Sequence, residues 1–152
     1  MDIREGGLRD PRTIALLELH AAGMLASSPA ESCHFLDLSG LETPDVTFWT
    51  AWDGEALLGM GAMKQIDAAH GEIKSMRTAP EHLGKGVGAA ILERIMATAR
   101  ERNLARLSLE TGSSSEFDAA HALYRKFGFD YCEAFGDYPA DDPFSRFMTR
   151  QL

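Results

Sequence analysis

Glu81-His82-Leu83-Gly84-Lys85-Gly86-Val87-Gly88-Ala89 is the stretch whose reading decides the fold. Before it lies a run with alternating apolar residues, Gly71 to Pro80, and after it a strong helical pattern from Ala89 to Arg102. Strand, glycine turn and helix start together aim several backbone N–H groups at one spot and add the positive end of a helix dipole. Such a spot suits a phosphate or pyrophosphate, and the glycines keep Cβ atoms out of the ligand's approach to the backbone. Two familiar phosphate loops are excluded by spacing. A Walker loop needs G-x-x-x-x-G-K-[ST], whereas Lys85 lies between glycines with no Ser or Thr after it. A Rossmann fingerprint needs G-x-G-x-x-G after the first strand of a βαβ unit, whereas Gly84 to Gly88 is spaced G-x-G-x-G behind earlier strands.

Composition narrows the function classes. The 152 residues fit one domain, 1–152, with a single sizeable core. A net charge of −8 lacks the basic face that a nucleic-acid partner or an anionic membrane surface requires. No apolar run approaches the roughly 20 residues of a membrane span, and Met1-Asp-Ile-Arg-Glu5 has no signal-peptide core. Cys33 and Cys132 have no metal or redox spacing and read as ordinary core residues. A cytoplasmic protein without a metal is the expectation.

The rest of the chain reads as a regular alternation of elements. Met1 to Gly6 is a short strand. Asp10-Pro11 is an N-cap followed by proline at the first helical position, and Ile14, Leu17, Ala21 and Met24 continue a helix to about Leu25. Glu31 to Leu38 reads as one or two helical turns, and Gly40 to Asp45 as loop. Val46–Trp52, Ala56–Ile66 and Glu72–Thr78 form a meander with turns at Asp53-Gly54 and Asp67 to Gly71, which leaves His70 solvated in a turn. A helix from about Gly86 to Arg102 follows, with Asn103 as a left-handed cap. Ala105 to Thr111 is a strand. Ser115 and Asp118 resemble a capping box for a helix to Phe127, closed by Gly128. Phe129–Phe135 and Phe144–Gln151 are two antiparallel strands joined by the acidic loop Gly136 to Pro143.

Two motifs carry a resemblance. Leu83-Gly-Lys-Gly-Val-Gly88 is similar to the [QR]-x-x-G-x-[GA] loop of the GNAT acyltransferase superfamily, with Leu83 where Gln or Arg is usual. Ala122-Leu-Tyr-Arg-Lys-Phe-Gly-Phe129 resembles that family's A-x-x-L-Y-x-x-x-G-F block. Ile73 to Pro80, Ser108 to Gly112 and Phe135 to Tyr138 look like its bacterial YsnE-like branch. The resemblance implies an α/β (α+β) GNAT fold, with a mixed, mostly antiparallel sheet flanked by helices in the order βα(α)βββαβαββ. It also implies an acetyl-CoA-dependent N-acetyltransferase, direct transfer to a primary amine of a small acceptor in a ternary complex, and a homodimer. The alternative is a non-catalytic acyl-CoA-binding sensor or partner-binding module.

Site residues follow from the same resemblance. Gly84, Lys85, Gly86, Val87, Gly88 and Ala89 would hold the pyrophosphate of acetyl-CoA. Met76, Arg77 and Thr78 would lie against the pantetheine arm, with a backbone N–H, that of Met76, facing the thioester oxygen. Tyr124 matches the family tyrosine near the CoA sulfur. A phenol with a pKa of about 10 is matched to protonating a thiolate of about 8.5 or above. The asparagine often found upstream of that tyrosine is Phe117 here. Glu72 is the first candidate for the base and Glu110 the second, because their strands splay apart around the thioester in this fold; His34 is a third. The connection between the first two helices walls the acceptor pocket in that fold, which makes Ser32, His34 and Asp37 candidate substrate contacts. The acidic residues Glu31, Asp37, Asp137, Asp141 and Asp142 point toward a cationic amine.

Overall fold

The computed structural model describes residues 1–152. Its elements run β1 (Asp2–Glu5), α1 (Pro11–Ser27), α2 (Leu38–Leu41), β2 (Val46–Asp53), β3 (Ala56–Gln65), β4 (His70–Thr78), α3 (Val87–Glu101), β5 (Arg106–Gly112), α4 (Asp118–Lys126), β6 (Asp130–Cys132) and β7 (Ser145–Gln151). All seven strands join one sheet in the order β1-β2-β3-β4-β5-β7-β6. Every neighbouring pair is antiparallel except β4 and β5, which are parallel. The α3 crossover makes that parallel pair possible, since parallel neighbours cannot be joined by a hairpin.

Helix α3 holds the sheet's main face. Val87, Ile91, Leu92, Ile95, Met96 and Ala99 recur at helical spacing and are buried. They pack with Trp49, Met63, Ile73, Leu107, Leu109, Tyr124 and Phe129 into one cluster. A smaller cluster, with Leu16, Leu41, Phe48, Met60, Ala62 and Ala79, lies on the opposite face beneath α1 and α2. Asp10 caps α1 by accepting from the Arg12 amide, with Pro11 in the first turn. Asn103, at φ 59°, closes α3 in the left-handed conformation, as the sequence leads one to expect. No helix is long and apolar enough to cross a membrane.

Four local expectations are corrected. Residues within Gly40–Asp45 are not all loop: the Asp37 carboxylate accepts from the Gly40 amide and starts the short helix α2. Ser115 and Asp118 form no capping box; Ser115–Phe117 is a 3₁₀ turn that runs straight into α4, whose start carries no side-chain cap. The sixth strand is only Asp130–Cys132. His70 is not a solvated turn residue. It opens β4, and its Nε2 lies 2.6 Å from the Ser108 hydroxyl of β5.

Candidate active site

The central feature of the sheet is the place where its parallel pair comes apart. β4 and β5 are in register only from His70–Arg106 to Ile73–Leu109. Immediately beyond, the register of β4 with β3 shifts: Ala62 faces Lys74 but Met60 faces Arg77, so Ser75 and Met76 together oppose the single residue Gly61. Ser75 takes φ 56°. This is a β-bulge, and a bulge bends its strand and interrupts pairing. β5 meanwhile keeps its ladder with β7 as far as Gly112. The two strands therefore part, and a cleft of about 100 Å³ opens between them.

The glycine loop lies along the same strand. β4 ends at Thr78, Pro80–His82 forms one 3₁₀ turn, and Gly84 and Gly86 adopt φ 77° and 80°. Those values explain the glycines, because an L side chain is strained there. Gly86 is the N-cap of α3 and provides no side-chain cap. The amides of Gly84, Lys85, Gly86, Val87, Gly88 and Ala89 donate to nothing within the protein. A Cβ on Gly84 or Gly86 would meet no atom within 4 Å. Free, exposed amides at a helix N-terminus are an anion cradle, so the loop fits a pyrophosphate. Leu83 is 67% exposed and takes no part in holding the loop.

The cleft gathers residues from widely separated parts of the sequence. β4 brings Glu72, Lys74, Ser75 and Met76; β5 brings Leu109, Glu110 and Thr111; α4 brings Ala120 and Tyr124; α1 and the segment after it bring His20, Met24, His34 and Phe35. Of the residues expected from sequence, Tyr124, Glu72, Glu110, Met76 and His34 meet here. Arg77 turns away to α1, where its Nε donates to His20 Nδ1 at 3.1 Å. Burial holds that imidazole down to about 4, with the Arg77 charge adding to the effect. Thr78 faces Gly88 at the loop end. Ser32 and Asp37 do not line the cleft. Ser32 is buried and bonded to Asp142, whose carboxyl it lowers, and Asp37 is occupied in capping α2.

Tyr124 is 5% exposed, and burial raises its phenol well above the ordinary value. Its hydroxyl therefore stays protonated at any physiological pH. Thr111 Oγ1 and His121 Nε2, 2.6 Å apart, tie α4 to the end of β5 and so fix the helix that carries it. Phe117 packs its ring directly over Gly112, where a Cβ would come within 2.2 Å of it. That contact gives Phe117 a place as a wall of the cleft, with no hydrogen bond to offer a ligand.

The two carboxylates differ sharply. Glu72 is 6% exposed and fully engaged: the Tyr138 hydroxyl donates to it, and Lys74 Nζ lies 3.3 Å away. Lys74 also donates to Tyr138 Oη at 3.0 Å and to the His34 carbonyl at 3.2 Å. Glu110 accepts only from Ser145 Oγ, at 2.9 Å. Burial, reinforced by the negative charges of Glu72 and Asp142 and opposed by Ser145 and Lys74, pushes Glu110 up to about 7. A carboxylate that exchanges its proton near neutral pH and keeps free lone pairs is suited to proton transfer. The sequence reading puts Glu72 first and Glu110 second; in the fold Glu110 is the less engaged of the two.

Lys74, Tyr138, Ser75 and Ser145 carry no motif that marks them in the sequence. The i, i+2 spacing of Glu72 and Lys74 puts both on one sheet face and offers a signal for Lys74. Tyr138 meets Glu72 across 66 positions, and no local pattern shows that.

Known proteins resemble this chain in sequence and in fold. The Acetyltransferase (GNAT) family profile matches residues 14–129. The chain is 51% identical over 150 residues to YedL of Escherichia coli, an uncharacterized N-acetyltransferase, covering 99% of this chain and 94% of that one. It is 48% identical over 152 residues to YsnE of Bacillus subtilis, another uncharacterized N-acetyltransferase, covering 100% of both. A Klebsiella pneumoniae protein provisionally classed as an acyl-CoA N-acyltransferase superposes with a TM-score of 0.83 at 31% identity, covering 99% of this chain and 97% of that one. The profile match and the relatives YedL and YsnE show that the chain belongs to the GNAT acetyltransferase family.

Proposed function

We propose that the protein transfers the acetyl group of acetyl-CoA to a primary amine of a small acceptor, directly and without an acyl-enzyme. The observation that carries this reading is the meeting of Tyr124 and Glu110 in the walls of one cleft, next to the glycine cradle. Acetyl-CoA supplies an activated thioester. The amides from Gly84 to Ala89 hold its pyrophosphate, and the unpaired edge of β4 at Met76 to Thr78 accommodates the pantetheine arm.

Glu110 accepts a proton from the amine, and the neutral nitrogen attacks the carbonyl carbon. The new N–C bond forms as the carbonyl π pair moves to oxygen; its return expels the sulfur. Tyr124 gives its proton to the departing thiolate; burial keeps the phenol neutral, so the proton is in place when the sulfur leaves. The Glu110 proton then passes to solvent and Tyr124 recovers one, which leaves an amide and free CoA thiol. Glu72 serves this chemistry indirectly, since its hydrogen bonds to Tyr138 and Lys74 leave it no role as the base. His34 Nε2 is buried without a partner in the wall of the cleft and is a contact for the acceptor.

The test is acetyl-CoA-dependent thiol release against polyamines, amino acids, aminoglycosides and small peptides. Turnover with one acceptor class, reduced in Tyr124→Phe, is the expected result. Calorimetric binding of acetyl-CoA without turnover on any acceptor would replace this reading with that of an acyl-CoA-binding module.

A further inference from the structure

Ser75 combines two costs that nothing inside the protein offsets. Its backbone sits at φ 56°, and apart from Asn103 at the end of α3 it is the only non-glycine residue with positive φ. A serine there carries a backbone strain that a glycine would avoid. Its side chain is 9% exposed, and its hydroxyl is buried with no hydrogen-bond partner. An unsatisfied buried hydroxyl adds its full desolvation cost to that strain. Glycine or alanine at this position would give a more stable fold. A strained, unsatisfied polar residue in a cleft wall marks a site whose partner arrives from outside.

The bulge fixes where that partner would be. Ser75 lies in the first stretch of β4 freed from β5, immediately before Met76, and lines the cleft together with Glu110 and Tyr124. These are the groups to which the proposed function gives the acceptor proton and the sulfur proton. The developing charge between those two transfers falls on the acyl oxygen. The Ser75 hydroxyl is the uncommitted neutral side-chain donor that β4 presents there.

We propose that the Ser75 hydroxyl donates a hydrogen bond to the carbonyl oxygen of the acyl thioester, beside the Met76 amide, and strengthens that bond as the oxygen becomes an oxyanion. The inference rests on the acetyl-transfer reading. The serine proton stays on Oγ throughout, and no bond to Ser75 forms or breaks. Losing one preorganised donor of this kind lowers kcat by about 10²–10³-fold.

The experiment needs no acceptor. Acetyl-CoA labelled with ¹³C at the thioester carbonyl is bound to the full chain, and the carbonyl resonance is read in wild type, Ser75→Ala and Ser75→Gly. The expected result is a downfield displacement in wild type that both variants lose, with acetyl-CoA affinity weakened by no more than about tenfold, the worth of one hydrogen bond, and melting temperatures at or above wild type. A displacement retained in Ser75→Ala overturns the hydroxyl's role and leaves acetyl transfer standing. Loss in Ser75→Gly alone assigns the effect to the bulge backbone and overturns it equally. Loss accompanied by a lower melting temperature in both variants makes the hydroxyl structural. A wild type that does not bind acetyl-CoA removes the acetyl-transfer reading, and this inference falls with it.

Discussion

The two ends of the cleft are built from different materials. At the glycine loop, the useful groups are backbone amides, the side chains of Leu83 and Lys85 are exposed, and Leu83 stands where the family motif has Gln or Arg. At the acceptor end, the useful groups are side chains that interlock: Lys74 bonds Glu72, Tyr138 and the His34 carbonyl, while Ser145 bonds Glu110. Backbone sites tolerate sequence change wherever the conformation is kept. Side-chain sites do not, because each buried polar group lost leaves its partner unsatisfied. Substitutions at the loop end should therefore alter affinity for acetyl-CoA, and those at the acceptor end should alter rate and its pH dependence.

The largest effect is expected at Glu110. Glu110→Gln should lower kcat by about 10²–10⁴-fold and leave acetyl-CoA affinity, measured by calorimetry, unchanged. Next comes Tyr124→Phe, for which about a 10²-fold loss in kcat without a change in acetyl-CoA binding is expected from steady-state kinetics, in line with general-acid contributions. At the opposite end, Gly86→Val forces a branched side chain into φ 80°. It should weaken acetyl-CoA binding by about tenfold or more, the cost of one strained residue, with the rate at saturation little altered. An equal loss of kcat there would break the contrast between the two ends.

Charges around Glu110 sharpen it further. The groups that face Glu110 are Glu72 and Lys74 on β4, Ser145 on β7, Asp142 and Tyr138 in the loop between β6 and β7, and the Cys33 thiol after α1. On the proposed reading Glu110 acts as the ionised base, and burial pushes it up to about 7, so activity should rise with pH through that value. Glu72→Gln removes a negative neighbour and should move the rise to lower pH; Lys74→Met removes a positive one and should move it higher. Shifts in the same direction would show that the pH limb belongs to another group.

The smallest effect concerns stability. Glu110 is raised from 4.5 in the unfolded chain to about 7 in the fold. Between those values the native state holds a proton that the unfolded state has lost, so stability falls as pH rises through the window and levels off above it. Thermal melts should show Glu110→Gln losing less stability than wild type between the two pH values.

The contrast also explains what the sequence could disclose. The loop and the helix behind it are legible because their signals are local: glycines at positive-φ positions, then Val87, Ile91 and Ile95 at one helical face. Tyr124 was legible for the same reason, inside the Ala122–Phe129 block. The meander and its turns followed from alternation and Asp53-Gly54. The acceptor end was not legible in this way. Glu72 and Glu110 both appear as strand carboxylates, and only Tyr138, Ser145 and Lys74, arriving from 66, 35 and 2 positions away, decide which one is engaged and which is free. The capping box at Ser115 failed because the 3₁₀ turn Ser115–Phe117 takes up the helix start. His70 was misjudged because its partner, Ser108, lies on the parallel strand reached only after α3.

The most direct measurement is the pH profile of acetyl-CoA-dependent thiol release by wild type and Glu110→Gln, with the best acceptor from the amine panel. The account predicts a wild-type rate that rises through about pH 7 and a variant that is slow and flat across the same range. A Glu110→Gln enzyme with wild-type rate and the same pH limb would contradict it.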